Sequence, residues 1–118
     1  MIHFSEKEFA CCPACNLGFS NMDYDLINLL DRARGYAEVA FIVTSSIRCQ
    51  AHNKAVGGSE TSSHLKGLAV DIKCVTSYTR YQILTGLRQA GFNRLGVGPD
   101  FVHCDIDEDK PKNLMWVY

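Results

Sequence analysis

Two histidines and an aspartate carry the first chemical signal in the sequence. Ser62-Ser63-His64-Leu65-Lys66-Gly67-Leu68-Ala69-Val70-Asp71 sets His64 in a loop and allows a tight bend at Gly67. It then puts Asp71 on the polar face of a run that alternates like a β-strand. Phe101-Val102-His103-Cys104-Asp105 alternates as well, with His103 on its polar face. Two imidazoles and one carboxylate, from separate segments of one sheet face, suit a zinc ion. Three protein ligands leave the fourth tetrahedral position for water, the pattern of a catalytic rather than a structural site. By spacing alone each residue keeps a plain alternative. A lone histidine is more often a surface or core residue, and a strand aspartate is usually solvated.

The six cysteines pose a separate question. Cys12-Pro13-Ala14-Cys15 has zinc-knuckle spacing, with Cys11 beside it. A structural zinc needs four ligands, and Cys49, Cys74 and Cys104 are scattered along the chain. The cysteines therefore read as small buried thiols or loop residues in preference to a second metal site, with Cys74 and Cys104 facing the core. No βαβ pattern surrounds the pair to suggest thioredoxin-like chemistry. Cys49 lies three residues before His52, which brings proximity without an activating environment. There is no His-Glu-x-x-His helix and no phosphate loop. Gly96-Val97-Gly98 lacks a third glycine, because Phe101 stands in its place.

The elements that must position these residues follow from periodicity. Ser5 and Glu8 have the spacing of a capping box for a short helix. Ser20 or Asn21 is expected to cap a helix over 22–39, with Leu26, Leu29, Leu30, Ala33 and Ala37 on its buried face. Residues 41–44 read as a buried strand and 51–56 as a short helix. A strand is predicted over 68–74, with Leu68, Val70, Ile72 and Cys74 facing one way and Ala69, Asp71 and Lys73 the other. A helix opened by Thr76 or Ser77 runs to Ala90, with Tyr81, Leu84 and Leu87 inward and Gly91 ending it. Strands over 94–97 and 101–106 flank a Gly98-Pro99 turn, and 115–118 reads as a closing strand. The predicted class is α+β: a small, mainly antiparallel sheet with helices on one face and the zinc site on the other.

Composition bounds the function. The 118 residues suit a single domain over 1–118. The chain is 47% hydrophobic and 21% charged, ordinary for a globular protein and too apolar for disorder. Its net charge of −1 argues against a dominant nucleic-acid role. No apolar run approaches the roughly 18 residues of a membrane span. The N-terminal residues lack the basic and apolar regions of an export signal. The expectation is a monomer, cytoplasmic as synthesised, that reaches a cell wall by lysis or an accessory export route.

The pattern Ser-x-His-x-x-Gly-x-Ala-x-Asp (Ser62, His64, Gly67, Ala69, Asp71), followed by Phe-Val-His-Cys-Asp, resembles the zinc D-Ala-D-Ala carboxypeptidase family. That family includes phage L-alanyl-D-glutamate endolysins and shares its fold with the hedgehog signalling domain. Ser46-Ile47-Arg48, His52-Asn53 and Val56-Gly57-Gly58 extend the likeness upstream, so that it covers about residues 4–118. It is nearest to short single-domain members of phage or prophage context. The resemblance implies one catalytic zinc ion held by His64, Asp71 and His103, and a peptidoglycan stem peptide as substrate. It implies a catalytic carboxylate three residues before the last histidine, which is Asp100, to activate the zinc-bound water and return the proton to the leaving amine. Strict strand alternation would point Asp100 away from His103, and the Gly98-Pro99 turn is where that alternation could break. Arg48 matches an arginine that steadies substrate or oxyanion, and Ser62 a serine that hydrogen-bonds substrate. Asp105 is open to three uses: orienting a ligand, anchoring Arg48, or simple exposure on a strand. Some relatives carry His or Trp where Phe101 stands, and Phe101 cannot donate a hydrogen bond. A non-catalytic zinc module of the same fold, binding cell wall or serving a phage structure, is the alternative.

Overall fold

The computed structural model describes all of residues Met1–Tyr118. Three α-helices and five strands follow in the order α1 (Tyr24–Ala37), β1 (Val43–Ser45), α2 (Gln50–Ala55), β2 (Ala69–Lys73), α3 (Ser77–Ala90), β3 (Arg94–Val97), β4 (Phe101–Asp105) and β5 (Leu114–Val117). Short 3-10 turns cover Glu6–Phe9, Phe19–Asn21 and Ser63–Lys66. The sheet order is β1-β2-β4-β3-β5. All neighbours are antiparallel except β3 and β5, which run parallel. The class is therefore α+β with a mixed sheet.

Alternation sorts the strands into two faces. Val70, Ile72, Leu95, Val102 and Cys104 point into one core cluster. There they meet Leu26, Leu30 and Ala33 of α1 and Ile83 and Leu87 of α3. The two helices pack closely because Gly86 faces Ala33 and Ala37, where a side chain would collide with both. Asp71, His103 and Asp105 alternate with these core residues and so take the other face.

The helix starts differ from the sequence expectation at α1. Asp23, rather than Ser20 or Asn21, caps it, its carboxylate accepting the N–H groups of Asp25 and Leu26. The residues before it form the separate turn Phe19–Asn21, which ends the pattern sooner. Ile27 joins the buried face while Leu29 is only half-buried. Thr76 caps α3 as expected, accepting from the N–H of Thr79. Tyr81 is 67% exposed rather than inward, because the buried stripe runs through Ile83, Gly86, Leu87 and Ala90.

One glycine fixes the entry to β2. Gly67 has a φ of 69° and ends the 63–66 turn in the left-handed region. A Cβ there would collide with the Asn21 carbonyl. Its own carbonyl accepts the N–H of Asp23 at 2.9 Å, tying the start of α1 to the start of β2. No helix is long and apolar enough to cross a membrane.

Candidate active site

The 63–66 turn delivers His64. Ser62 opens it, its hydroxyl accepting the His64 N–H at 3.2 Å. His64 is buried, and its Nδ1 lies 2.7 Å from the Ser46 carbonyl. A carbonyl only accepts, so Nδ1 carries the proton and Nε2 presents a lone pair. That Nε2 is 3.3 Å from Asp71 Oδ1. The β2–β4 register sets Asp71 directly opposite His103, with His103 Nδ1 2.9 Å from the same oxygen. His103 Nε2 lies 2.7 Å from Asp105 Oδ2. Asp105 is itself held by Arg94 Nε, which donates to Oδ1 at 2.6 Å, and by the Asp107 N–H.

These atoms fit zinc. His64, Asp71 and His103 offer ligand atoms that all lie within 4.8 Å of one another. A tetrahedral ion at about 2.0–2.1 Å from nitrogen and oxygen separates its ligand atoms by about 3.3 Å. The observed 2.9 and 3.3 Å are close to that. Each imidazole also has its other nitrogen engaged, by a carbonyl for His64 and a carboxylate for His103. That arrangement fixes the ring orientation of metal-binding histidines.

Around the triad opens a cleft of about 340 Å³. Arg48 and Ser62 line it, as do the aromatic rings of Phe101, Trp116 and Tyr118. Arg48 spans the floor: Nε donates to Ser45 Oγ at 2.9 Å, one terminal nitrogen to Asn53 Oδ1 at 3.2 Å, and the other to Asp71 Oδ2 at 3.4 Å. Gly96 makes the aromatic wall possible. It sits beside His103 on β4 and Trp116 on β5, and a Cβ there would lie 2.7 Å from both the Trp116 and Tyr118 rings. Arg94 stacks on Trp116 at 5.0 Å from the ring centroid.

Asp100 does not join this group. Gly98 N–H donates to the Phe101 carbonyl at 2.9 Å, so Pro99 and Asp100 form the tip of the β3–β4 hairpin. Alternation holds unbroken up to that tip. Phe101 therefore shares the face of His103, and Asp100 is exposed outside the cleft lining. The carboxylates that line the cleft are Asp71 and Asp105, and both are engaged by the contacts above. Asp105 orients His103 and pairs with Arg94; Arg48 pairs with Asp71 instead. Ser62 caps the turn with its oxygen while facing the cleft.

Several contributors were not drawn from the sequence. Trp116 and Tyr118 had a signal, since they alternate on a predicted strand. The Ser46 carbonyl had none. Nor did Asp107, which is 1% exposed. It accepts from Ser63 Oγ at 2.7 Å and from Lys66 Nζ, tying the His64 turn to the segment after β4.

The cluster is strongly polarised. Burial alone would raise the Asp71 carboxyl, but the hydrogen bond from His103 and the charge that the neighbouring imidazoles can carry outweigh it, and its pKa lies well below the usual range. Asp105 is lowered too: burial opposes, while His103 and Arg94 prevail. Burial would lower His103, yet Asp105 and Asp71 hold it above its ordinary value. In the metal-free protein these shifts set a pH window. The carboxylates' contribution is complete above their unfolded pKa of about 4 and is lost as pH falls through the folded values. That of His103 is complete below its unfolded pKa of about 6.5 and is lost as pH rises through the folded value. Thermal melts of chelator-treated protein should show greatest stability between about pH 4 and 6.5. A melting temperature that climbs steadily from pH 6 to 9 would contradict this balance.

No curated protein matches the chain. A family model described as Peptidase M15 matches residues 2–105, a span that takes in β1 to β4 and with them His64, Asp71, His103 and Asp105. The likeness thus extends over the whole framework that brings the triad together, and the chain belongs to the peptidase M15 family.

Proposed function

We propose that the chain is a zinc metallopeptidase that hydrolyses an amide bond in peptidoglycan stem peptides, as a D-Ala-D-Ala carboxypeptidase or an L-Ala-D-Glu endopeptidase. The observation that carries this reading is the convergence of His64 Nε2, Asp71 Oδ1 and His103 Nδ1 beside Arg48 in an open cleft. When bound, zinc polarises the scissile carbonyl and acidifies water at the site. His64, Asp71 and His103 would hold it. Arg48 faces the same space with a guanidinium already braced by Ser45, Asn53 and Asp71, so it binds a substrate carboxylate or developing oxyanion with little loss of side-chain freedom. The Ser62 hydroxyl is left free to donate to substrate. Phe101, Trp116 and Tyr118 supply the apolar wall against which a short peptide packs.

The test is mass spectrometry of stem peptides incubated with zinc-loaded protein, with and without chelator. Chelator-sensitive cleavage supports the reading, and product mass separates the two reaction types. Zinc binding without turnover on either peptide would defeat it.

Asp100 has a test of its own. From its exposed position at the hairpin tip, Asp100→Asn is expected to change kcat by less than about threefold, whereas loss of a working general base costs about 10²–10⁴-fold. A hundredfold loss would return Asp100 to the mechanism as the base.

One observation favours a second reading. Every carboxylate lining the cleft is already engaged, leaving none free to take a proton. A zinc-containing module that binds cell-wall peptide without cutting it would need no such group. Stoichiometric, chelator-sensitive retention of the intact peptide would identify that case.

A further inference from the structure

We infer that Cys11, Cys12, Cys15 and Cys49 hold a second zinc ion, structural in role and separate from the triad. The fourth ligand missing from the local cysteine spacing is supplied by the fold. Cys49 lies 34 residues beyond Cys15 in the chain, yet the four sulfurs all lie within 4.8 Å of one another. Cys12 Sγ is 3.4 Å from Cys15 Sγ and 3.9 Å from Cys49 Sγ. A tetrahedral zinc at about 2.3 Å from each sulfur gives edges of about 3.8 Å. All four are free thiols. Four thiolates around one ion make a closed, soft donor set with no open position, which is the structural form of a zinc site.

Backbone donors face two of the four sulfurs. The Cys49 N–H donates to Cys11 Sγ at 3.2 Å, and the His52 N–H donates to Cys49 Sγ at 3.3 Å. Such backbone donors relieve the charge that builds up when one Zn²⁺ replaces four thiol protons, which leave to solvent. The other two cysteines do not share this environment. Cys74 and Cys104 are buried in the hydrophobic core. The six cysteines thus divide into a cluster and two core thiols.

The ion would staple the N-terminal segment to the loop that serves the cleft. Cys49 directly follows Arg48. Ser45, which braces Arg48, ends β1 just before that loop, and Ser46, whose carbonyl orients His64, begins it. Ser46 Oγ in turn donates to the Phe9 carbonyl at 2.9 Å, just before the cysteine run.

The test combines metal counting with cobalt spectroscopy on the full chain, purified under reducing conditions. Native mass spectrometry should find two zinc ions per chain in the wild type and one each in His64→Ala/His103→Ala and Cys12→Ser/Cys15→Ser. Loaded with cobalt, the double histidine variant should keep thiolate-to-cobalt charge-transfer absorption in the near ultraviolet and intense tetrahedral bands in the visible. That spectrum decides the matter even if the cysteine variant fails to fold, and it does not depend on any peptidase activity. A cobalt-loaded histidine variant without thiolate charge transfer, or a folded Cys12→Ser/Cys15→Ser variant that binds as many zinc ions as the wild type, would overturn the proposal. So would iron in place of zinc, or a disulfide within the set that persists in the reduced preparation.

Discussion

His64→Ala should reduce peptide hydrolysis to background, a loss of about four orders of magnitude or more, with the cleft zinc gone. The size follows from what the imidazole supplies. It is one of three ligand positions in the triad, and its Nε2 has no other partner of comparable chemistry than Asp71. A catalytic zinc contributes both the acidified water and the carbonyl polarisation, so losing it removes most of the rate acceleration at once. The fold should survive, because the helix layer and core lie on the other face of the sheet. The Ser46 carbonyl loses its partner, which costs about 1–3 kcal/mol. Zinc stoichiometry, the melting temperature and turnover should be measured on one preparation. Turnover within tenfold of wild type would remove His64 from the metal site.

Asp105→Asn should weaken the metal site as well, by a smaller factor, although it changes the shape of the side chain very little. Asp105 Oδ1 faces Arg94 Nε, which only donates, so the amide oxygen must occupy that position. The amide nitrogen is then forced to face His103 Nε2. Two donors cannot share that contact, so the imidazole proton moves to Nδ1, the nitrogen that faces Asp71 and the metal position. Zinc affinity at the cleft should fall by at least about 10–100-fold. Asp105→Ala adds a different penalty. It strands the buried Arg94 guanidinium without its carboxylate, a change that costs about 3–5 kcal/mol. A zinc titration and a thermal melt of both variants separate the tautomer effect from the charge effect. Wild-type zinc affinity in Asp105→Asn would show that Asp105 does not set the His103 tautomer.

How much of this was legible in the sequence depends on the range over which each feature is decided. Strand parity is local, and it correctly separates Asp71, His103 and Asp105 from Val70, Ile72, Val102 and Cys104. Parity stops being decisive at Asp100, which lies at the exposed hairpin tip one residue before β4 begins. Helix ends are local too, yet the cap of α1 moved to Asp23 because the preceding residues close their own short turn. Tyr81 faces solvent because the close approach of Gly86 to α1 rotates the buried stripe of α3. Features made by distant segments left little trace. Nothing near Cys12 and Cys15 announces Cys49, and nothing near His64 announces the Ser46 carbonyl or Asp107. Such partnerships exist only once β1, the 63–66 turn and the segment after β4 have come together.

The aromatic wall built over Gly96 has an optical consequence. Trp116 is the chain's single tryptophan, and its ring lies 5.5 Å from His103 and 5.0 Å from Arg94. An imidazolium at that range accepts an electron from an excited indole and dims its emission; a neutral imidazole does so far less. Intrinsic fluorescence of the unlabelled protein should therefore brighten when His103 gives up its proton, whether to base or to an arriving metal ion. The chain carries a built-in light meter for the charge state of its own cleft.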